Sequence, residues 1–144
     1  MNKVADILSR KGMDAISVSP DATVLEVLKI MAEKNIGSVV VISKEGIFHG
    51  IVTERDYSRK VILKGKSSTD TPVSEIMSTD LPRISPSDTV EHCMQLMSDK
   101  NIRYLPVFTN NELKGIISIS DVVKETILAQ QETINHLESY IHSK

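Results

Sequence analysis

Two short motifs hold the side chains best suited to chemistry, Thr53-Glu54-Arg55-Asp56 and Ser118-Ile119-Ser120-Asp121. Each sets a hydroxyl three residues before a carboxylate, after an apolar run and ahead of a helical pattern. At a helix start the pair can act as a cap, hydroxyl and carboxylate each satisfying a free backbone N–H. The same geometry suits ligand chemistry. Exposed amides and the positive end of a helix dipole favour an anion, and a carboxylate can accept both hydroxyls of a vicinal diol. Capping and binding can coexist in one motif. Arg55 lies inside the first motif, where its guanidinium can reach a phosphate by charge-assisted bonds. The corresponding Ser120 can donate a hydrogen bond but cannot neutralise charge. Arg59, Lys60 and Lys64 follow on the helix and read as a solvated face.

Other chemistry finds little support. Cys93 takes an apolar position on a helical pattern and the adjacent His92 a surface one, which argues for a buried structural thiol over a Cys-His pair. His136 and His142 are six apart on different faces of a helix, poor spacing for a metal. There is no Walker loop, G-x-G-x-x-G or H-E-x-x-H. No catalytic residue, metal site or catalytic cofactor is expected, and the chain reads as a non-enzyme. The net charge of -2 removes the basic excess that general nucleic-acid binding needs. No apolar run reaches a membrane span, and MNKVADILSR lacks the apolar stretch of a secretory signal. With one cysteine, which excludes an intrachain disulfide framework, the expectation is a cytoplasmic protein without membrane or nucleic-acid partners.

The elements that must position the motifs come as an internal repeat. SPDATVLEVLKIMAEKNIGSVVV aligns with SPSDTVEHCMQLMSDKNIRYLPV at an offset of 66, which slips to 65 after the turn segments SKEG and TNNE. GIVTERD then matches GIISISD. Upstream, KVADIL resembles PVSEIM, a short helical lead-in to each copy. Val24, Val27, Leu28 and Met31, like Val90, Cys93, Met94 and Met97, recur at helical spacing. SVVVIS with IFHGIV, and YLPVF with LKGIIS, read as antiparallel hairpins. Adding the ISV and RIS runs gives β-α-β-β-α twice, an α/β (α+β) fold with two small three-stranded sheets, each covered by helices on one face. Such sheets cannot hide their apolar faces alone, so a pseudo-twofold packing of the repeats is expected. The boundaries expected are 1–64 for the first repeat with its lead-in, 65–72 for a polar linker, 73–123 for the second repeat and 124–144 for a helical extension. On that extension Val123, Ile127, Ile134, Leu137 and Ile141 form a seam near seven-residue spacing, interrupted by Gln130, and dimerisation is favoured over packing on the chain's own domain.

The doubled Ser-Pro-x-x-Thr-Val helix start, apolar β-run and Gly-hydrophobic-hydrophobic-Thr/Ser-x-x-Asp ending resemble a tandem pair of cystathionine β-synthase (CBS) domains, the Bateman module. The likeness covers nearly the whole chain and extends to stand-alone two-CBS proteins of bacteria and plant organelles. It implies a regulatory, signal-transducing protein that binds an adenosine nucleotide (AMP, ADP, ATP or NAD), pairs into a homodimer and modulates a partner. It also implies clefts built across the pair. One would combine Ser118, Ser120 and Asp121 with Ile16, Ile36 and Gly37; the other would combine Thr53, Arg55 and Asp56 with Pro82, Ile102 and Arg103. The backbone beside Ile36 and Ile102 would read the adenine edge. Gly12 stands near the position where the second copy has Ser78 and the family usually has Thr, a departure that bears on the first cleft. A ligand-independent dimer that regulates a partner, such as the thioredoxins that similar plant proteins regulate, is the competing expectation.

Overall fold

The computed structural model describes residues 2–12 and 15–142. Its helices begin and end for local reasons. In α2 (Val24–Lys34) and α4 (Val90–Lys100) the capping oxygens of Thr23 and Thr89 accept from the backbone N–H of Glu26 and His92. Both helices stop at an asparagine in the left-handed region, Asn35 at φ 55° and Asn101 at φ 52°, a conformation that Asn tolerates. The residues matched between the repeats are thus caps as well as core. Val24, Val27 and Met31 are buried, as are Val90, Cys93 and Met97. Met94, expected beside them, is exposed instead, with the Thr126 hydroxyl 3.6 Å from its sulfur.

The first sheet has the expected three strands: β1 (Ser17–Val18) lies parallel to β2 (Ser38–Ile42), which pairs antiparallel with β3 (Phe48–Thr53) in a register set by Val40 opposite Ile51. The second sheet has two, β4 (Tyr104–Thr109) and β5 (Glu112–Ser118), with Pro106 opposite Ile116. Their turn, Asn110-Asn111, has φ of 50° and 65°, the twist a tight antiparallel hairpin needs. The third strand expected at the RIS run shrinks to one parallel bridge from Ile84 to Val107. Pro82 and Pro86 bracket that run and lack the N–H donors that would extend the ladder.

The chain divides into two compact units, one joining Met1–Asp14 to Pro82–Lys144, the other Ala15–Leu81. The lead-ins therefore cross the sequence repeats. The amino-terminal helix α1 (Val4–Lys11) packs with the second repeat, where Val4 N–H bonds the Asp88 carbonyl and Val90 N–H bonds that of Asn2. The 3-10 turn Val73–Glu75 packs with the first, Val73 N–H bonding the Ala22 carbonyl and Val24 N–H that of Thr71. Both lead-ins have the same apolar pattern, and each bridges the capping threonine of the helix it joins, Lys3 to Thr89 and Pro72 to Thr23. Val4, Ile7 and Leu8 belong to the core containing Cys93, Leu105, Ile117 and Val122; Val73 and Ile76 belong to the core of Val27, Val39 and Val52.

Cys93 is fully buried, as a structural thiol requires. Desolvation and then the Asp88 charge push its pKa up from 9.0 to about 11. The neutral thiol is favoured by folding, so its contribution to stability is complete below pH 9.0 and is lost as pH climbs toward 11. At neutral pH a thiol reagent should modify Cys93 only when the core of Leu105, Ile117 and Val122 opens. Prompt stoichiometric labelling of native protein would contradict this burial.

Candidate functional site

After β3 the chain turns at once into α3 (Glu54–Tyr57), followed by a π-helical turn over Ser58–Ile62. Thr53 and Asp56 cap it reciprocally: the Asp56 N–H donates to Thr53 Oγ1 at 3.2 Å, and the Thr53 N–H donates to Asp56 Oδ2 at 3.0 Å. The Thr53 hydroxyl also donates to Oδ2, at 3.1 Å. On Oδ1, Ser78 Oγ donates at 2.8 Å and Lys60 Nζ forms an ion pair at 2.9 Å. An ionised carboxylate has about four acceptor positions, and those of Asp56 are all engaged within its own unit. The residue is 4% exposed. Lys60, read from the sequence as part of a solvated face, also donates to the Ile76 carbonyl at 2.9 Å. Its place four residues after Asp56 on a helix was the signal that could have identified the pair.

The second motif starts the 24-residue helix α5 (Ile119–His142) with the same reciprocal cap, Ser118 N–H to Asp121 Oδ2 at 2.8 Å and Asp121 N–H to Ser118 Oγ at 3.2 Å. Here the resemblance stops. Lys11 Nζ donates to Oδ2 of Asp121 at 2.7 Å and to the Ile116 carbonyl at 2.8 Å. Asp121 Oδ1 accepts no hydrogen bond from the described residues, and the side chain is 17% exposed.

Lys11 replaces backbone with side chain. In the first repeat Ile51 and Ser78 exchange both backbone hydrogen bonds, at 3.0 and 2.8 Å. Gly50 is required beside them, since a Cβ there would lie 2.7 Å from the Ser78 carbonyl oxygen. In the second repeat one ammonium serves the carbonyl of Ile116, the counterpart of Ile51, and the aspartate as well. The departure seen at Gly12 thus brings a cation to the motif, which no local sequence pattern signals because Lys11 and Asp121 are 110 residues apart. One turn further along α5, the buried Glu125 accepts from Arg10 and Asn2.

The candidate residues sort by unit. Ile16, Ile36, Gly37, Thr53, Arg55 and Asp56 lie in Ala15–Leu81; Pro82, Ile102, Arg103, Ser118, Ser120 and Asp121 lie in the other unit. Within each, the motif bonds the strand start of its own repeat, Glu54 N–H to the Gly37 carbonyl at 3.2 Å and Ile119 N–H to the Arg103 carbonyl at 2.9 Å. Ile16 gives its carbonyl to Val40 N–H. Ile16, Arg103 and Ser120 are exposed, whereas Ile36, Gly37, Thr53, Arg55, Pro82, Ile102 and Ser118 are half-buried. Among the described residues no group of His, Cys, Asp and Glu could hold a metal ion, and no helix is long and apolar enough to cross a membrane.

The CBS domain family matches twice, over residues 4–62 and 73–127. The chain is similar to the mitochondrial CBS domain-containing protein CBSX3 of Arabidopsis thaliana, with 36% identity covering 96% of this chain and 71% of that protein. Among solved structures, a CBS-domain protein from Burkholderia ambifaria, provisionally assigned to signal transduction, superposes with a TM-score of 0.84 at 42% identity, covering 90% of this chain and 96% of that one. The CBS domain pair of protein MJ0100, in complex with 5′-methylthioadenosine and S-adenosyl-L-methionine, superposes with a TM-score of 0.75 at 25% identity, covering 87% and 99%.

Proposed function

Because this chain belongs to the CBS-domain family, whose paired domains are regulatory and not catalytic, we propose that it senses energy or redox state by binding an adenosine-containing ligand, AMP, ADP, ATP or NAD. Acting as a homodimer, it passes occupancy to a partner protein. The observation that carries this reading is Oδ1 of Asp121, which accepts no hydrogen bond from the described residues, on a carboxylate whose other oxygen is fixed by the Ser118 N–H and Lys11. That oxygen can accept a ribose hydroxyl without giving up the helix cap, and Lys11 supplies a positive charge beside it. The two ligands of the MJ0100 domain pair also contain adenosine, and with it the ribose diol. Ser120 is the proposed polar neighbour of a ligand at Asp121 and Arg55 that of a ligand at the first motif, with the backbone at Ile36 and Ile102 the proposed readers of adenine. A cytoplasmic setting belongs to the same reading, and the lone free thiol suits it.

Calorimetry with AMP tests the site. Charge-assisted hydrogen bonds of ~1.5–3 kcal/mol each imply that Asp121→Ala weakens AMP at least about tenfold, and that 2′-deoxy-AMP loses much of the same energy on the wild type. Equal AMP affinity of the wild type and Asp121→Ala would remove the assignment. The second reading, a ligand-independent dimer that acts on a partner such as a thioredoxin, is favoured by one fact: Asp56 has no acceptor position left for a ligand. A mass spectrum of small molecules released by acid precipitation separates the two, since near-stoichiometric nucleotide belongs only to the sensor.

A further inference from the structure

Helix α5 outruns the unit it belongs to. Val122 and Glu125 face its own core, but every residue from Gln130 to His142 is exposed. A helix of that length is marginal in water without packing on one face. Along it Val123, Ile127, Gln130, Ile134, Leu137 and Ile141 recur in alternating steps of four and three, the spacing of a heptad seam. The seam does not turn inward where the helix meets its own unit, since Val123 is 50% and Ile127 58% exposed. With one polar step at Gln130 it runs from the packed end to the far end, roughly 27 Å at 1.5 Å per residue.

We propose that this seam joins a second copy of the chain in a parallel two-stranded coiled coil. The inference deepens the homodimer reading and rests on it, but does not depend on the nucleotide. The occupant is argued from the residues. Ile127, Ile134 and Ile141 fall at one core position and Val123, Gln130 and Leu137 at the other; β-branched residues at the first, with Leu at the second as at Leu137, favour two parallel strands. No charged residue enters the seam. The flanking positions that meet in a parallel pair are Thr126 with Gln131 and Thr133 with Glu138, so identical chains bring no like charges together. Gln130 fixes the orientation. In a parallel pair it faces its own mate and the two amides hydrogen-bond, whereas any antiparallel register sets it against an isoleucine with its amide unpaired.

Two variants of the full chain test this by light scattering and cross-linking. Ile134→Asp combined with Leu137→Asp should halve the mass while circular dichroism shows the units still folded. Leu137→Cys should form an interchain disulfide on mild oxidation, because a parallel pair sets residue 137 against itself; buried Cys93 does not compete. A dimer that survives the double substitution overturns the seam but leaves dimerisation through another surface. A monomeric wild type overturns both. A dimer that is lost with the double substitution, yet fails to cross-link through Leu137→Cys, overturns the parallel arrangement.

Discussion

Deleting residues 2–12 is expected to unfold the unit containing the second repeat while Ala15–Leu81 keeps its structure. The deletion lies at the far end of the chain from the elements it should destroy. α1 contributes Val4, Ile7 and Leu8 to the core of Leu105, Ile117 and Val122. At ~1.5–3 kcal/mol for each buried side chain, losing the three removes about 5–9 kcal/mol. That is comparable to the whole stability of a typical domain, about 5–15 kcal/mol. The deletion also strips Arg10 and Asn2 from Glu125, which is 2% exposed and would be left as an uncompensated buried carboxylate. Amide hydrogen exchange reads the outcome: protection should vanish in α4, β4 and β5 and persist in α2, β2 and β3. Protection lost first from α2 would mean that the lead-in serves its own repeat.

Asp56→Ala should cost about 3 kcal/mol, and Asp121→Ala clearly less. The first removes a helix cap, worth about 1 kcal/mol. It also takes the acceptor from the half-buried Ser78 hydroxyl and Thr53 N–H, at ~1–3 kcal/mol for groups left unsatisfied. Lys60 is nearly half exposed, so its ion pair adds little. Asp121 loses the same kind of cap, but among the described residues one of its oxygens accepts no hydrogen bond. Urea denaturation with unchanged slopes gives the comparison. Equal costs would mean that the four contacts on Asp56 do not persist in solution. The two motifs then differ in load, the crowded Asp56 holding structure and Asp121 carrying fewer contacts among the described residues.

Much of this could be read from the repeat. Thr23, Thr89, Asn35 and Asn101 are identical in both copies because each closes one end of a helix, and such local requirements show directly in residue type. The hairpins follow from alternation and turn residues in the same way. The missed features depend on distance along the chain. KVADIL and PVSEIM have one pattern, and either repeat could take either lead-in on that pattern alone. Lys11 reaches Asp121 across 110 residues, so neither position announces the other. The third strand at RIS had the right residues but prolines on both sides. Met94 followed the helical period, yet fell on the flank of α4 that the core does not cover.

The exchanged lead-ins also set an order on biosynthesis. α1 is made before the other described elements, but Arg10 meets Glu125 only when the chain has grown by 115 residues. At 5–20 residues per second that takes roughly 6–23 s. In the interval Ala15–Leu81, a continuous stretch with its own lead-in, can complete its core, while Val4, Ile7 and Leu8 have none to join. The nascent chain thus carries the apolar face of α1 uncovered until β4, β5 and the start of α5 are made, a span in which solvent or another protein must cover Val4, Ile7 and Leu8.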